Sequence, residues 1–381
     1  MAGRMLQRAP SLTGPHESAV IAPSDMDERA LAAWIDAIDA AFAQGVSSVG
    51  QSTRTFHIAD GVLRLASAGD GMLNQLGRAF SHLTDAPGAR PELTVCLWDS
   101  ATAGIDPPPF PQTSPDMPRG AVLYSSAGRR RVAYQPGLSL ISAIDLDRST
   151  AWFWCADAAR LPYWEPAAPL RQILHWWLSP RGWQLLHGAA VGTTDGGVLL
   201  VGRGGSGKST CALSSLASDL LYAGDDYVAV RGGPDPWVAS VYSSGKLVPG
   251  HAELLPYLPT PSFEANESLD EKAVFFVHER FPDRTCEGFP LRAILVPRIT
   301  GTAWPRMAPV DAAKALRALA PTTLMQLHPP FPGALARMAA LLRQLPTYVF
   351  EVGEIEQTPK AITRFLHGLQ TERERATARG R

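Results

Sequence analysis

The chain has 381 residues, of which 45% are hydrophobic and 19% charged, and its formal net charge is -1. This composition is typical of a globular protein large enough for two domains, and the balanced charge argues against a nucleic-acid partner. The four cysteines lie far apart without a CxxC pair, which argues against a zinc site or a disulfide framework and favours a cytoplasmic location. The longest apolar runs are too short to span a bilayer, so no membrane partner is expected.

The N-terminal half combines helical and strand-like patterns. Residues 1–26 are predicted to form a disordered leader. Residues 27–45 have the apolar spacing of a helix, and "RTFHIADGVLRLASA" alternates like a β-hairpin. A second helix in "GMLNQLGRAFSHLTD" precedes the strand "ELTVCLWD", and further strand-like runs follow the proline-rich loop "IDPPPFPQTSPDMPRG". We therefore predict an α+β domain over residues 27–165.

The stretch "GGVLLVGRGGSGKSTCAL" predicts a buried strand, a glycine-rich turn and the start of a helix. Within it, Gly202, Gly207, Lys208 and Ser209 satisfy the pattern G-x-x-x-x-G-K-[ST]. Its glycines let backbone N–H groups turn inward towards phosphates, and the helix N-terminus adds partial positive charge. Lys208 is expected to reach the β- and γ-phosphates of ATP, and the Ser209 hydroxyl to ligate Mg²⁺. The predicted nucleotide-binding residues are Gly202, Arg203, Gly204, Gly205, Ser206, Gly207, Lys208, Ser209 and Thr210.

Two adjacent carboxylates, Asp225 and Asp226, follow in "DLLYAGDDYVAV", at a distance that leaves room for one short helix and one strand. One carboxylate of such a pair can lie beside Mg²⁺, while the other accepts a proton from an attacking hydroxyl. An Asp-Asp turn between strands is the alternative explanation. His187, in "QLLHGAAVG", is by itself more typical of a packing or capping residue than of a catalytic one.

The order "HGAAVGTTDGGVLLVGRGGSGKSTCAL", then "LLYAGDDYVAV", resembles the catalytic domain of bacterial HPr kinase/phosphorylase. That family carries a His-Gly before a short hairpin, then the phosphate loop, one helix and an Asp-Asp. The family's "EIRG" segment is missing, and Thr210 stands where the regulatory kinases usually carry an acid. The downstream runs and the N-terminal residues look more like the divergent, HPr-kinase-related tailoring kinases of peptide biosynthesis, including those of lasso-peptide clusters.

The resemblance implies an α/β fold for residues 166–370: a P-loop kinase core with a mixed sheet and flanking helices. It implies transfer of a phosphoryl group from ATP, with Mg²⁺, to a serine hydroxyl of a peptide or small protein such as a biosynthetic precursor peptide. Asp225 would be the catalytic base, and Asp226 would assist with metal and charge. His187 would orient the two aspartates, and Lys208 completes the predicted catalytic set. The family also makes a homo-oligomer possible.

Further cations are expected to face a transferring phosphoryl group, and the candidates are Lys246, Lys272, Arg292 and Arg298. The run "DAAKALRALAPTTLMQL" predicts a core-packing amphipathic helix that ends at Pro321. Residues 371–381 are predicted to form a disordered tail. Two other functions stay open: a nucleotide-regulated binding or assembly protein with slow ATPase activity, and a small-molecule kinase.

Overall fold

In a computed structural model, the described residues are 21–23, 26–111, 122–264 and 271–379. The described residues divide into one unit that ends at Arg181 and a second that begins at Gly182. This boundary lies after the short helix Arg171–Leu178, whereas the sequence patterns placed it after residue 165. Most of the predicted leader, and part of the proline-rich loop, lie outside the described residues.

The described part of the N-terminal unit is an eight-stranded mixed sheet in the order β1-β5-β6-β7-β8-β4-β3-β2. Its strands are β1 (Ile21–Pro23), β2 (Gln51–Ile58), β3 (Gly61–Ala68), β4 (Leu93–Asp99), β5 (Val122–Ala127), β6 (Arg130–Gln135), β7 (Leu140–Asp145) and β8 (Thr150–Cys155). Its helices are α1 (Glu28–Val49), α2 (Gly71–Gly77), α3 (Ser100–Ala103), α4 (Trp164–Ala167) and α5 (Arg171–Leu178).

Helix α1 confirms the first predicted helix and covers one face of this sheet. The Asp27 side chain caps it by accepting a hydrogen bond from the Ala30 N–H at 2.7 Å. Its apolar stripe, including Leu31 and Ile35, packs in one cluster with Trp98 and Trp152. The predicted hairpin is also present, because β2 and β3 pair antiparallel throughout.

The C-terminal unit contains a second eight-stranded mixed sheet. Seven of its strands follow the order β10-β9-β12-β13-β16-β18-β17, with β11 pairing to β9. The strands of this unit are β9 (Gln184–Thr193), β10 (Gly196–Val201), β11 (Leu221–Gly224), β12 (Tyr227–Arg231), β13 (Trp237–Ala239), β14 (Ser244–Leu247), β15 (Ala273–Phe276), β16 (Gly288–Ile299), β17 (Arg306–Pro309) and β18 (Thr347–Val352). Strands β14 and β15 form a separate pair.

Helices lie on both faces of this second sheet. They are α6 (Lys208–Ser214), α7 (Val277–Arg280), α8 (Ala312–Gln326), α9 (Ala334–Gln344) and α10 (Thr358–Arg379). In β10, Val198 and Leu200 pack in one cluster with residues of α6 and α10, while Leu199 and Val201 pack in another with residues of α8 and α9. The unbroken apolar run of β10 is therefore buried on both faces, as the sequence predicts.

Two predicted boundaries in the C-terminal unit also differ from the structure. Helix α8 continues through Pro321 to Gln326, although the sequence predicts that it ends at the proline. Helix α10 extends to Arg379 and so includes most of the tail that the sequence predicts to be disordered. A proline removes one N–H and disfavours a helical residue before it, but tertiary contacts can still hold the helix together.

The central position of β10 gives a stability prediction. Leu200→Ala removes a side chain with 0% exposure and should lower the free energy of unfolding of the C-terminal unit by about 2–5 kcal/mol. Leu335→Ala, on the surface of α9 with 51% exposure, is the matched control and should change it by less than about 0.5 kcal/mol. Urea denaturation of both variants measures this, and equal losses would contradict the assignment of β10 to the core.

Candidate phosphate-binding and carboxylate site

The glycine-rich loop connects β10 to α6, and its shape depends on missing side chains. Gly205 and Gly207 have φ values of +72° and +99°, which other residues rarely adopt. A Cβ on Gly202 would lie 2.6 Å from Ser206 Oγ, so the loop also closes tightly on itself. The buried Ser206 Oγ has no hydrogen-bond partner among the described residues. A tight glycine turn with an unsatisfied hydroxyl, at the start of a helix, fits the binding of phosphate oxygens.

Lys208 is held inside this loop. Its ammonium donates hydrogen bonds to the carbonyl oxygens of Gly202 at 2.8 Å and Arg203 at 3.2 Å. Burial lowers the pKa of Lys208 to about 8, Asp225 opposes this shift, and the charge of Lys272 adds to it. Lys208 is therefore mostly charged at neutral pH. Arg203, Gly204 and Gly205 form the exposed tip of the loop.

Asp225 connects the loop to the strands beyond it. Ser209 Oγ donates a hydrogen bond to Asp225 Oδ1 at 3.0 Å, and the backbone N–H of Lys246 donates to Asp225 Oδ2 at 3.2 Å. Asp225 is only 1% exposed. Burial and the neighbouring Asp226 raise its pKa, although these two donors favour the charged form. Asp225 is therefore a buried carboxylate directed at the serine that follows the glycine-rich loop.

Asp226, the next residue, has a left-handed backbone conformation. Its φ of +69° is uncommon for a residue with a side chain, although aspartate tolerates it better than most. Asp226 Oδ2 lies 2.5 Å from Lys246 Nζ, and 15% of its side chain is exposed. Burial alone would raise the pKa of Asp226, but the ammonium of Lys246 and the hydrogen bond from His187 lower it well below its usual value. Asp226 is thus an ionised carboxylate.

His187 lies on β9, opposite Tyr227 of β12. Its Nε2 is 3.4 Å from Asp226 Oδ1, and its Nδ1 has no partner among the described residues. Burial and the charge of Lys208 lower the pKa of His187 to about 4, with Asp226 acting in the opposite direction. The imidazole is therefore neutral at physiological pH, and its contact with Asp226 is a hydrogen bond to the carboxylate, not an ion pair.

The structure thus brings His187, Lys208, Ser209, Asp225 and Asp226 together, but it distributes their contacts differently from the sequence prediction. Ser209 and Asp226 are the predicted metal ligands, whereas the structure places Asp225 beside Ser209. The reason is the positive φ of Asp226, which directs its carboxylate to Lys246 and His187. The predicted loop residue Thr210 is 4% exposed, and its hydroxyl lies 3.5 Å from His251 Nδ1 instead of facing the loop.

The four other predicted cations have different surroundings in the structure. Lys246 belongs to the site, and Lys272 lowers the pKa of both Lys208 and His187, so its charge is close to them. Arg292 donates two hydrogen bonds to the carbonyl of Asp195, in the turn between β9 and β10. Because the glycine-rich loop follows the other end of β10, Arg292 lies away from it. Arg298 is exposed on β16.

Two supporting residues are absent from the sequence-based set. Thr323 Oγ1 accepts a hydrogen bond from the His187 N–H at 3.1 Å, and the Tyr227 hydroxyl donates to Gln326 Oε1 at 2.6 Å. Both partners lie on the part of α8 after Pro321. A helix that ended at the proline would not supply them, so the sequence pattern gave no indication of their role.

The oxygen donors of the site fit a magnesium ion bound together with a nucleotide. Among the described residues, no group of three or more His, Cys, Asp or Glu side chains could hold a metal ion. Mg²⁺, however, usually takes only one or two carboxylates and completes its shell with phosphates and water. The Ser209 hydroxyl and the Asp225 carboxylate, 3.0 Å apart, are the residues that would hold such an ion.

Comparisons with known proteins add little to this geometry. No family model matches the sequence, and a search of curated proteins finds no match. Among solved structures, the chain is weakly similar to the HPr(Ser) kinase/phosphatase from Coxiella burnetii, with 12% identity and a TM-score of 0.29 over 50% of this chain and 99% of that chain. A similarity this weak identifies neither fold nor activity. In the part of the chain that the structure describes, no helix is long and apolar enough to cross a membrane.

The buried, neutral His187 predicts a specific dependence of stability on pH. Its folded pKa of about 4 lies below the unfolded value near 6.5, so its stabilising contribution is complete above pH 6.5 and is lost as the pH falls towards 4. The groups that set this value are Asp226, Lys208 and Lys272. His187→Gln should reduce the stability lost between pH 7 and pH 4.5 by roughly 2–3 kcal/mol.

Chemical denaturation at the two pH values measures this difference. His367→Gln, at an exposed position on α10, is the matched control and should retain the wild-type dependence. If His187→Gln and His367→Gln lost equal stability on acidification, His187 would not be neutral in the folded state.

Proposed function

We propose that the protein is an ATP-dependent kinase that transfers the γ-phosphoryl group to a serine hydroxyl of a peptide or small protein. One observation carries the proposal: a phosphate-type loop meets two adjacent carboxylates that have different surroundings. Asp225 is buried against Ser209, whereas Asp226 is partly exposed beside a lysine and a neutral histidine. A protein that only senses a nucleotide has no need of a second, accessible carboxylate.

The contacts favour a division of roles between the aspartates that reverses the one implied by the family resemblance. We assign Asp225, with Ser209, to the metal side, because their oxygens are neighbours and Asp225 is closed to solvent. Asp226 becomes the base, because its carboxylate is ionised and accessible. When Mg²⁺ is bound with the nucleotide, it neutralises charge on the β- and γ-phosphates.

The reaction then needs one proton transfer and one displacement. The serine oxygen forms a bond to the γ-phosphorus, and the bond from that phosphorus to the bridging oxygen of the β-phosphate breaks. The proton of the serine hydroxyl passes to Asp226, and ADP leaves with the electron pair. Lys208, which already faces the interior of the loop, stabilises negative charge on the phosphates.

The low pKa of Asp226 is compatible with this role. An ionised carboxylate is in the correct state to accept a proton, although its driving force for doing so is small. Phosphoryl transfer passes through a loose transition state in which positioning and electrostatic stabilisation provide most of the acceleration. His187 and Lys246 hold the Asp226 carboxylate on two sides and so act as positioning residues.

The direct test incubates the protein with γ-labelled ATP, Mg²⁺ and a library of serine-containing peptides, followed by mass spectrometry. We expect a mass gain of one phosphate on a serine, and no gain when that serine is replaced by alanine. ATP hydrolysis without any labelled peptide would instead favour the nucleotide-regulated assembly protein. Label transferred to a small metabolite would favour the small-molecule kinase.

The two aspartates should respond differently to removal of charge. Asp226→Asn should retain ATP affinity and lower kcat by about 10²–10⁴-fold, because it removes the proton acceptor. Asp225→Asn should instead raise the Mg²⁺ concentration needed for half-maximal activity, because it removes a metal-side carboxylate. Asp235→Asn, at an exposed position in the same unit, should match the wild type in both measurements.

Equilibrium ATP binding and Mg²⁺ titrations of turnover separate these effects. An Asp226→Asn variant with wild-type kcat would exclude Asp226 as the base. If the Mg²⁺ requirement rose in Asp226→Asn and not in Asp225→Asn, the roles would be those implied by the resemblance.

A further inference from the structure

Trp304 has the highest exposure of any large hydrophobic side chain among the described residues, at 66%. It lies in the connection between β16 and β17. Single exposed apolar residues are common and need no explanation by themselves. Trp304 differs from a scattered surface residue in the position of its connection in the sheet and in the contacts that fix that connection.

The connection lies at the edge of the sheet that carries the phosphate loop. Strands β10, β16 and β18 run parallel, so their carboxyl ends share one edge, where α/β proteins bind ligands. Ile299, the last residue of β16, has its Cγ1 3.4 Å from the place where Gly207 of the loop would carry a Cβ. The end of β16 therefore contacts the phosphate loop directly.

From Ile299 the chain crosses over the carboxyl end of β18. Ile299 pairs with Val352 on one side of β18, and Arg306 pairs with Glu351 on the other side. The residues between them, including Trp304, thus pass over the end of this strand. Strand β18 is two strand spacings from β10, which is about 10 Å. This is the scale of the separation between the phosphates and the base of a nucleotide.

The connection is firmly held. The Thr300 N–H donates to the Val352 carbonyl at 3.3 Å, and the Thr302 hydroxyl donates to the Trp304 carbonyl at 3.2 Å. Gly353 packs against this connection. A Cβ on Gly353 would come within 3.1 Å of the Trp304 carbonyl carbon and would clash with the Thr302 carbonyl oxygen. The backbone of Trp304 is therefore packed onto a position that only glycine can occupy.

We propose that Trp304 stacks on the base of the nucleotide whose phosphates the glycine-rich loop binds. The inference rests on the proposed function, since it needs a nucleoside triphosphate in that loop. Stacking on an indole uses the π face that every base has, and it therefore selects for a base without selecting strongly among bases. Trp304 is thus a binding residue and takes no part in the phosphoryl transfer itself.

The test compares ligands with and without a base on the full-length chain. Trp304→Ala should weaken Mg²⁺–ATP binding about tenfold and leave the affinity for inorganic tripolyphosphate unchanged, because the latter has no base to stack. Trp304→Phe should retain most of the ATP affinity. Trp237→Ala is the matched control, because Trp237 is 38% exposed and pairs with Pro290 near the start of β16, at the opposite end of that strand.

Each outcome decides the proposal. An unchanged ATP affinity in Trp304→Ala, or an equal loss in Trp237→Ala, would overturn it while leaving the proposed kinase intact. Equal weakening of ATP and tripolyphosphate would overturn it as well, since the connection would then support the phosphate loop. If the wild-type protein bound neither ligand, the proposed function itself would fall.

Discussion

The site depends on one backbone feature, the turn at Asp225 and Asp226 between β11 and β12. Both strands pair with β9, and the turn lies where β9 passes from one partner to the other. The Gly188 N–H donates to the Asp226 carbonyl at 3.0 Å, which holds the turn against β9. With an extended backbone, successive side chains would alternate between the two faces of the sheet. The left-handed conformation of Asp226 instead leaves both carboxylates beside β14, one on the Lys246 amide and the other on its ammonium.

Lys246 has this central position because buried charge must be balanced. Two adjacent carboxylates in a largely closed site repel each other, and each carries a desolvation cost. One residue reduces both costs, since its backbone N–H contacts Asp225 and its ammonium contacts Asp226. The result is an asymmetric pair in which the pKa of Asp225 is raised and that of Asp226 is lowered. Two carboxylates whose surroundings push their pKa values apart are typical of a site that divides its chemistry between them.

The local parts of the site could be predicted from the sequence. The apolar run of β10, the glycine turn and Lys208 are contiguous, so their short-range pattern contains the information. Which aspartate each neighbour contacts could not be predicted in the same way. Lys246 is a candidate cation from the sequence, but its strand lies outside the main sheet, so its contacts with both aspartates are not visible in the pattern. Thr323, which accepts the His187 N–H, lies on a helix that continues past a proline. The position of the domain boundary could not be predicted for a similar reason. The sequence of a short apolar segment such as α5 does not show which sheet it packs against.

Strand β9 explains why these distant pieces meet in one place. Along one edge it pairs with β10, which leads into the glycine-rich loop, and along the other it pairs with β11 and then β12, which flank the aspartates. His187 lies on β9 near the point where its pairing passes from β11 to β12, and its backbone N–H donates a hydrogen bond to Thr323 of α8. A shift of β9 by one residue would turn His187 to the opposite face and separate the loop from the carboxylates. The register of this one strand, more than any single contact, therefore sets the distance between the glycine-rich loop and Asp226.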